Sequence, residues 1–227
     1  NATPSAVQEV YRSMQFNNVS ENPSTATRTL TIGLTDGDGG TATPQTKLVY
    51  VQASNDAPSI TSLSGDSLSY SEGDGAVVIE QGGNALVADV DSTNFDTGTL
   101  TVSFTAGSDS AEDVLSIRNQ GTGAGQIGVS GSNITYGGTT IGTFTGGSGG
   151  SNLVITLNVS ATPTAVTALV QTITYENTDT AAPTTGARTV RFVLTDGDGG
   201  TSANYNTTVT VSAVNDAPVV DLNGTGA

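Results

Sequence analysis

The chain has 227 residues, enough for one large domain or two smaller ones whose core needs no covalent staples. It contains neither cysteine nor histidine, which excludes thiolate zinc sites, thiol catalysis, disulfides and Ser-His-Asp chemistry, and removes the commonest transition-metal ligand. Acidic residues outnumber basic ones 21 to 6, for a formal charge of -15, so nucleic acid and anionic membrane surfaces are repelled and cations attracted.

The first predicted element is a short helix. Thr3 is placed to cap it, Pro4 takes the first helical position, and Val7, Val10, Tyr11 and Met14 recur at i, i+3, i+4 and i+7. TRTLTIGL at 27–34 then alternates Leu30, Ile32 and Leu34 with polar residues, as a strand does, and runs into LTDGDGG at 34–40. After NDAP at 55–58 come TLTVSF (99–104), DVLSI (113–117), NITYG (133–137), TIGTF (140–144) and LVITLNV (153–159), short strands separated by Gly, Asn and Ser clusters. TGGSGGSN at 145–152 reads as a flexible loop. A second helix begins behind Thr162 and Pro163, with Val166, Leu169, Val170 and Ile173 on one face. TVRFVL at 189–194 is another alternating strand, followed by a second LTDGDGG at 194–200 and a second NDAP at 215–218. Many short strands with few helices predict an all-β fold, an antiparallel β-sandwich with one short helix per repeat.

Both duplicated motifs recur at an offset of 160, and residues 1–18 align without a gap to 160–177. Residues 1–58 thus read as the C-terminal part of one repeat, 59–218 as a complete repeat and 219–227 as the start of a third. The chain then samples a tandem array, a piece of something longer. In such a rod each unit touches mainly its neighbours, and the junctions set its properties. No apolar run reaches membrane-spanning length, so no membrane insertion is expected.

Eight of the 15 aspartates lie in three motif types: Asp36, Asp38, Asp196 and Asp198 in DGDGG, Asp56 and Asp216 in NDAP, and Asp89 and Asp91 in DVDS. Aspartates two apart on a strand point to opposite faces, so both reach one ion only where the backbone turns. Calcium asks for six to eight hard oxygens, which Asp, Asn and loop carbonyls provide; magnesium ranks second and transition metals far behind. Taken singly, each motif has a plainer reading: DGDGG as a hairpin turn, NDAP as a solvated linker.

Order and spacing add a resemblance. LTDGDGGTSANYNTTVTVSAVNDAPV resembles the last two strands of a cadherin repeat, whose pattern is A-x-D-x-G, a hairpin, an alternating strand and a D-x-N-D-N-A-P linker. It is also similar to the cadherin-like and VCBS-type repeats of very large bacterial surface adhesins. In the cadherin pattern a glutamate and then an Asp-x-Asp follow the linker; here Glu72 and Asp89-Val90-Asp91 begin 16 and 33 residues after Asp56. The linker is shorter than the family's, and the unit is longer, with the helix and a Gly-rich middle from about Gly107 to Gly150.

The resemblance implies an Ig/cadherin-like sandwich with two calcium-binding poles. At one, Asp196 with Asp89 and Asp91 meets Asn55 and Asp56 of the incoming linker; Asp198 either ligates or holds the turn. At the other, Asn215 and Asp216 join Glu72 and Glu176, a position held by Asn17 in the upstream copy. Asp36 and Asp38 belong to a first copy whose neighbour lies outside this sequence. The implied function is a non-enzymatic, calcium-rigidified extracellular spacer, secreted or attached to the cell surface, of a bacterial adhesin in cell adhesion, biofilm or matrix attachment. Its partners are neighbouring repeats of the same chain. The alternatives are a module that binds glycans or further copies of itself, and an accessory domain of a secreted enzyme.

Overall fold

The computed structural model describes residues 2–218; the expected start of a third repeat at 219–227 lies outside them. The chain divides into two compact units, one ending at Ser54 and one beginning at Asn55, so the linker motif NDAP belongs with the second. The first unit holds α1 (Pro4–Ser13) and an antiparallel pair, β1 (Arg28–Ile32) with β2 (Gln45–Val49).

In chain order the second unit holds β3 (Ser59–Thr61), β4 (Ser67–Ser71), β5 (Val77–Val78), β6 (Leu86–Ala88), β7 (Thr99–Ala106), β8 (Asp113–Ile117), β9 (Ile127–Ser130), β10 (Asn133–Tyr136), β11 (Thr139–Thr145), β12 (Leu153–Leu157), α2 (Pro163–Val170), β13 (Ile173–Asn177), β14 (Gly186–Leu194) and β15 (Tyr205–Ser212). An eight-stranded sheet runs β4-β15-β14-β7-β12-β11-β10-β9, beside a three-stranded sheet β5-β13-β8 and a pair β3-β6. All pairings are antiparallel except β4 with β15, which is parallel. The fold is all-β and sandwich-like.

Alternation in the sequence becomes alternation in burial. Leu100 and Val102 of β7, Val190, Phe192 and Leu194 of β14, and Val209 of β15 are fully buried. They share one apolar cluster with Leu115 of β8 and Ile173 and Tyr175 of β13. Each such side chain contributes about 1.5–3 kcal/mol of burial free energy. Helix α2 adds Ala165, Val166, Leu169 and Val170 to that core, capped by Thr162, whose side chain accepts from the Ala165 amide. The helix stops at Val170, and Ile173, expected on its apolar face, is buried from β13 instead. The β-branched run Thr172-Ile173-Thr174 favours a strand, and β8 offers it a partner. Met14, the matching position in the first unit, also falls just past its helix.

Within the Gly-rich middle, NITYG and TIGTF form strands as expected: β10 and β11, with β9, extend the large sheet. From Gly146 to Asn152 the run forms a loop, as expected, and it is fastened to β8. Gly147 is buried with its carbonyl accepting from the Leu115 amide at 2.7 Å, and a Cβ there would lie 2.2 Å from the Leu115 carbonyl oxygen. Backbone lies on backbone, which only glycine permits.

One buried ionic network ties the two main sheets. Arg188 of β14 is fully buried and reaches Asp113 of β8 at 3.1 Å and Glu112 at 3.7 Å. Asp113 also accepts from the Tyr175 hydroxyl and, at 3.3 Å, from Asn177, both on β13. Burial first, and then the neighbouring Asp113, keep the Tyr175 hydroxyl protonated far above its ordinary range. Two further donors of Arg188 go to the Gly186 and Thr184 carbonyls. Removing Asp113 leaves a buried guanidinium with only the more distant Glu112 to balance it. Asp113→Ala is expected to lower stability by about 3–5 kcal/mol in urea melts followed by circular dichroism. Combined with Arg188→Met, the loss should fall short of the sum of the single changes by more than about 0.5 kcal/mol.

Candidate metal centre

The two LTDGDGG runs fold identically. In each, two threonines bridge across the turn, Thr35 with Thr41 and Thr195 with Thr201. The first aspartate folds back over the loop: Asp36 Oδ1 accepts from the Asp38 and Gly40 amides at 2.9 Å, and Asp196 Oδ1 from the Asp198 and Gly200 amides at 2.8 and 2.9 Å. The glycine between the aspartates has positive φ in both copies, +85° and +92°, a conformation glycine adopts without steric cost. The second aspartates, Asp38 and Asp198, are exposed. The motif is therefore a self-contained turn built on its first carboxylate.

What differs is the company that carboxylate keeps. Asp36 is exposed, whereas Asp196 is fully buried. Asn55 donates from its amide nitrogen to Asp196 Oδ2 at 2.8 Å and to the Asp56 carbonyl at 3.0 Å. The linker lies so close that a Cβ on Gly200 would meet the Asp56 carbonyl oxygen at 2.7 Å and the Ala57 Cα at 2.9 Å. Burial raises the Asp196 pKa, but the donors from Asn55 and the Asp198, Gly200 and Gly199 amides outweigh it, so the carboxyl sits below its ordinary value.

Asp89 and Asp91 complete this pole. The Asp56 amide donates to Asp91 Oδ2 at 3.2 Å, which fastens the linker to the DVDS turn. Asp89 Oδ1 accepts from the Asp91 and Ser92 amides at 3.2 and 3.0 Å, and this turn supplies the bend that an alternating strand would deny the two acids. Their outer oxygens, Asp89 Oδ2 and Asp91 Oδ1, are buried without any hydrogen-bond partner. Burial, with the Asp91 carboxylate adding to it against the turn amides, holds the Asp89 carboxyl above its ordinary value. Two orphaned carboxylate oxygens, on a turn that the linker ties to Asp196 through Asp56 and Asn55, suit a hard cation. Among the described residues no three acidic side chains converge on a single point. Here the Asn55 amide group bridges two oxygens as a cation does, and a rotated amide presents its oxygen instead.

At the opposite motif set, Glu72 Oε2 accepts from the Val214 amide at 2.8 Å, so this glutamate does hold the outgoing linker. Its other oxygen, Oε1, is buried and unpartnered. Asn215 and Asp216 are exposed, and Asn215 repeats the Asn55 turn by donating to the Asp216 carbonyl at 3.1 Å. Glu176 lies opposite Val114 in β13, half-buried. It shares its surroundings with Asp74: burial raises the Tyr70 hydroxyl pKa, and the charges of Glu176 and Asp74 add to that. Sequence reasoning passed over Asp74, whose carboxylate accepts from the Ser71 amide at 2.7 Å; its place two residues after Glu72 was the available signal. It also passed over Gly200, against which the linker packs although the same doubled glycine at Gly40 has no linker near it.

No protein-family model matches the chain, and no curated protein matches it.

The charge on Asp196 is expected to be worth more than its hydrogen bonds alone. In Asp196→Asn an amide donor faces the Asn55 donor, or loses the loop amides, and stability at pH 7 should fall by about 1.5–3 kcal/mol. Because the folded pKa is depressed, the carboxylate's contribution is present above the unfolded value near about 3.9 and is lost as pH falls through the lower folded value. Urea melts of both proteins should therefore draw together as pH falls through that depressed folded value.

Proposed function

We propose that the second unit is a calcium-binding spacer repeat of a bacterial surface or secreted adhesin, rigidified at its linker and without enzymatic activity. The observation that carries this reading is the pair of buried, unpartnered oxygens on Asp89 and Asp91, on a turn bonded to the linker residue Asp56, whose neighbour Asn55 holds Asp196. An ion there would take Asp89, Asp91 and Asp196 as anionic ligands, with the Asn55 side-chain oxygen and the Asp56 carbonyl as neutral ones. Calcium fits an all-oxygen set of this kind; its charge offsets the burial, and the added repulsion from Asp91, that lift the Asp89 pKa. Bound ion would fix the segment that enters the unit, so rigidity along the chain depends on the cation. Glu72, with Asp216 and Glu176, would serve the outgoing linker in the same way. The extracellular setting, the attachment role and the neighbouring repeats as partners rest on the resemblance of the DGDGG, NDAP, Glu72 and DVDS series to cadherin-like adhesin repeats.

Calcium at about a hundred times its dissociation constant stabilises by about 2.7 kcal/mol, which is roughly 5–10 °C in melting temperature for a unit of this size. Melts in calcium, in magnesium and in chelator should show that rise with calcium and a smaller one with magnesium. Asp89→Asn separates this role from a structural one. Its folded pKa is raised above the unfolded value, so its ionisation at neutral pH costs stability that is recovered as pH falls through the folded value. In chelator the variant should melt at or above the parent temperature; in calcium it should lose most of the gain. Equal melts of the parent protein in calcium and chelator would sink the reading.

A further inference from the structure

The internal repeat supplies a comparison that bears on the first unit. Residues 2–18 match 161–177, and residues from Pro23 onward match those from Pro183. In the second unit Val166, Leu169, Ile173, Tyr175, Val190 and Leu194 are all fully buried. Of their counterparts, Val10, Met14, Phe16, Leu30 and Leu34 are 44–59% exposed, and no residue of α1 is buried. Between α1 and the end of β1 opens a cleft of about 870 Å³ lined by Ala2, Val7, Gln8, Tyr11, Leu34 and Asp36.

Those six positions correspond to Ala161, Val166, Thr167, Val170, Leu194 and Asp196. There the space is filled by residues 83–99. Phe95 is fully buried and its amide donates to the Ala161 carbonyl at 2.9 Å. Gly98 lies against Thr195, with its Cβ position 2.2 Å from that carbonyl oxygen, and the Thr99 amide donates to Thr195 Oγ1 at 2.8 Å. The Val87 amide donates to Thr167 Oγ1 at 2.9 Å.

A second, independent correspondence concerns charge. Arg28 is the counterpart of Arg188, and its guanidinium is held by the carbonyls of Ser24 and Ala26, each at 2.9 Å. These match Thr184 and Gly186, the two carbonyls that hold Arg188. Arg188 has Asp113 and Glu112 as counter-ions. Among the described residues Arg28 has no carboxylate in ion-pair range, and its guanidinium lies over the Phe16 ring, 5.9 Å from the centroid.

We propose that the face formed by α1 and β1 of the first unit is a docking surface for a polypeptide of one kind, a second copy of the 59–159 segment, supplied ahead of Asn1. Its Phe95-Asp96-Thr97-Gly98 enters the cleft, and its Glu112-Asp113 pair neutralises Arg28. The chain's own 59–159 segment is not the occupant, since it is committed to residues 160–212 of its own unit. The proposal does not depend on calcium.

The register of the repeat defines the test. A copy of residues 59–159 fused directly ahead of Asn1 recreates the Val159–Ser160 junction as Val159–Asn1. Amide hydrogen exchange of residues 4–13 and 28–32 should slow by about 100-fold or more relative to the parent protein. In the fusion Arg28→Met should remove that protection and lower the first unit's melting temperature by roughly 10 °C, whereas in the parent it should leave the melt unchanged. As a measurement on the unmodified protein, a synthetic peptide of residues 83–99 should shift the amide resonances of Val7, Tyr11 and Leu34, and a Phe95→Asp peptide should not. Exchange at parent rates in the fusion, with no peptide-induced shift, overturns the proposal. So does sedimentation showing that the parent dimerises with Tyr11 and Phe16 protected, which would make another whole chain the occupant.

Discussion

The second unit depends on a charge placed where water cannot reach. Arg188 draws together three strands from two sheets, β14 on one side and β8 and β13 on the other, through Asp113 and its partners Tyr175 and Asn177. Apolar contacts alone leave the relative slide of two sheet faces poorly specified, because many registers bury similar areas. A buried guanidinium does not tolerate slippage, since each displaced bond leaves an uncompensated donor in a medium of low polarity. The surrounding aromatic contacts are fitted to it: Tyr70 and Phe104 meet the Tyr175 ring edge-on, at 4.9 and 6.1 Å between centroids. With that register fixed, Leu194 and Asp196 follow β14 outward to the pole where the linker enters.

At this pole two neighbouring electrostatic situations are opposed. Asp196 is surrounded by donors, and its ionised form is favoured despite burial. Asp89 and Asp91 each have one oxygen bound by backbone amides and another facing inward with nothing to accept. A site with every carboxylate satisfied has little to gain from an ion, and a site with none satisfied struggles to stay folded without one. The combination here lets the unit form on its own donors while retaining a local excess of negative charge. That balance fits a reversible dependence on a cation better than an obligatory one.

Much of this was legible in the residues, for identifiable reasons. Strands such as β8 and β14 announced themselves because one face is buried and the other wet, which writes a period of two into the sequence. Both helix starts were readable from Thr and Pro at fixed positions. The end of α2 was not, because Ile173 suits both a helical and a strand pattern and only pairing with β8 decides between them. In the loop at 146–152 the glycines were legible as loop residues, but nothing in the run marked Gly147 as the one pressed against the backbone of β8. At the site, the order of motifs brought Asn55, Asp56, Asp91 and Asp196 together on the page before geometry did. The Asn55 amide between two oxygens and the approach of the linker to Gly200 depend on atoms beyond the reach of any motif, and Asp74 was hidden by lying in a short turn. Asp36 and Asp196, identical in sequence context, differ in exposure because one has a linker against it and the other has none.

The parallel pairing of β4 with β15 has a mechanical corollary. Ser67–Ser71 lies in register with Thr208–Ser212 along five residue pairs, one strand near the entry of the unit and the other leading to its exit. Tension applied between entry and exit pulls these strands along their length in opposite directions, so the hydrogen bonds are loaded together in shear. An antiparallel hairpin pulled at its open end yields one bond at a time. A unit joined in this way resists stretching more than its equilibrium stability alone implies.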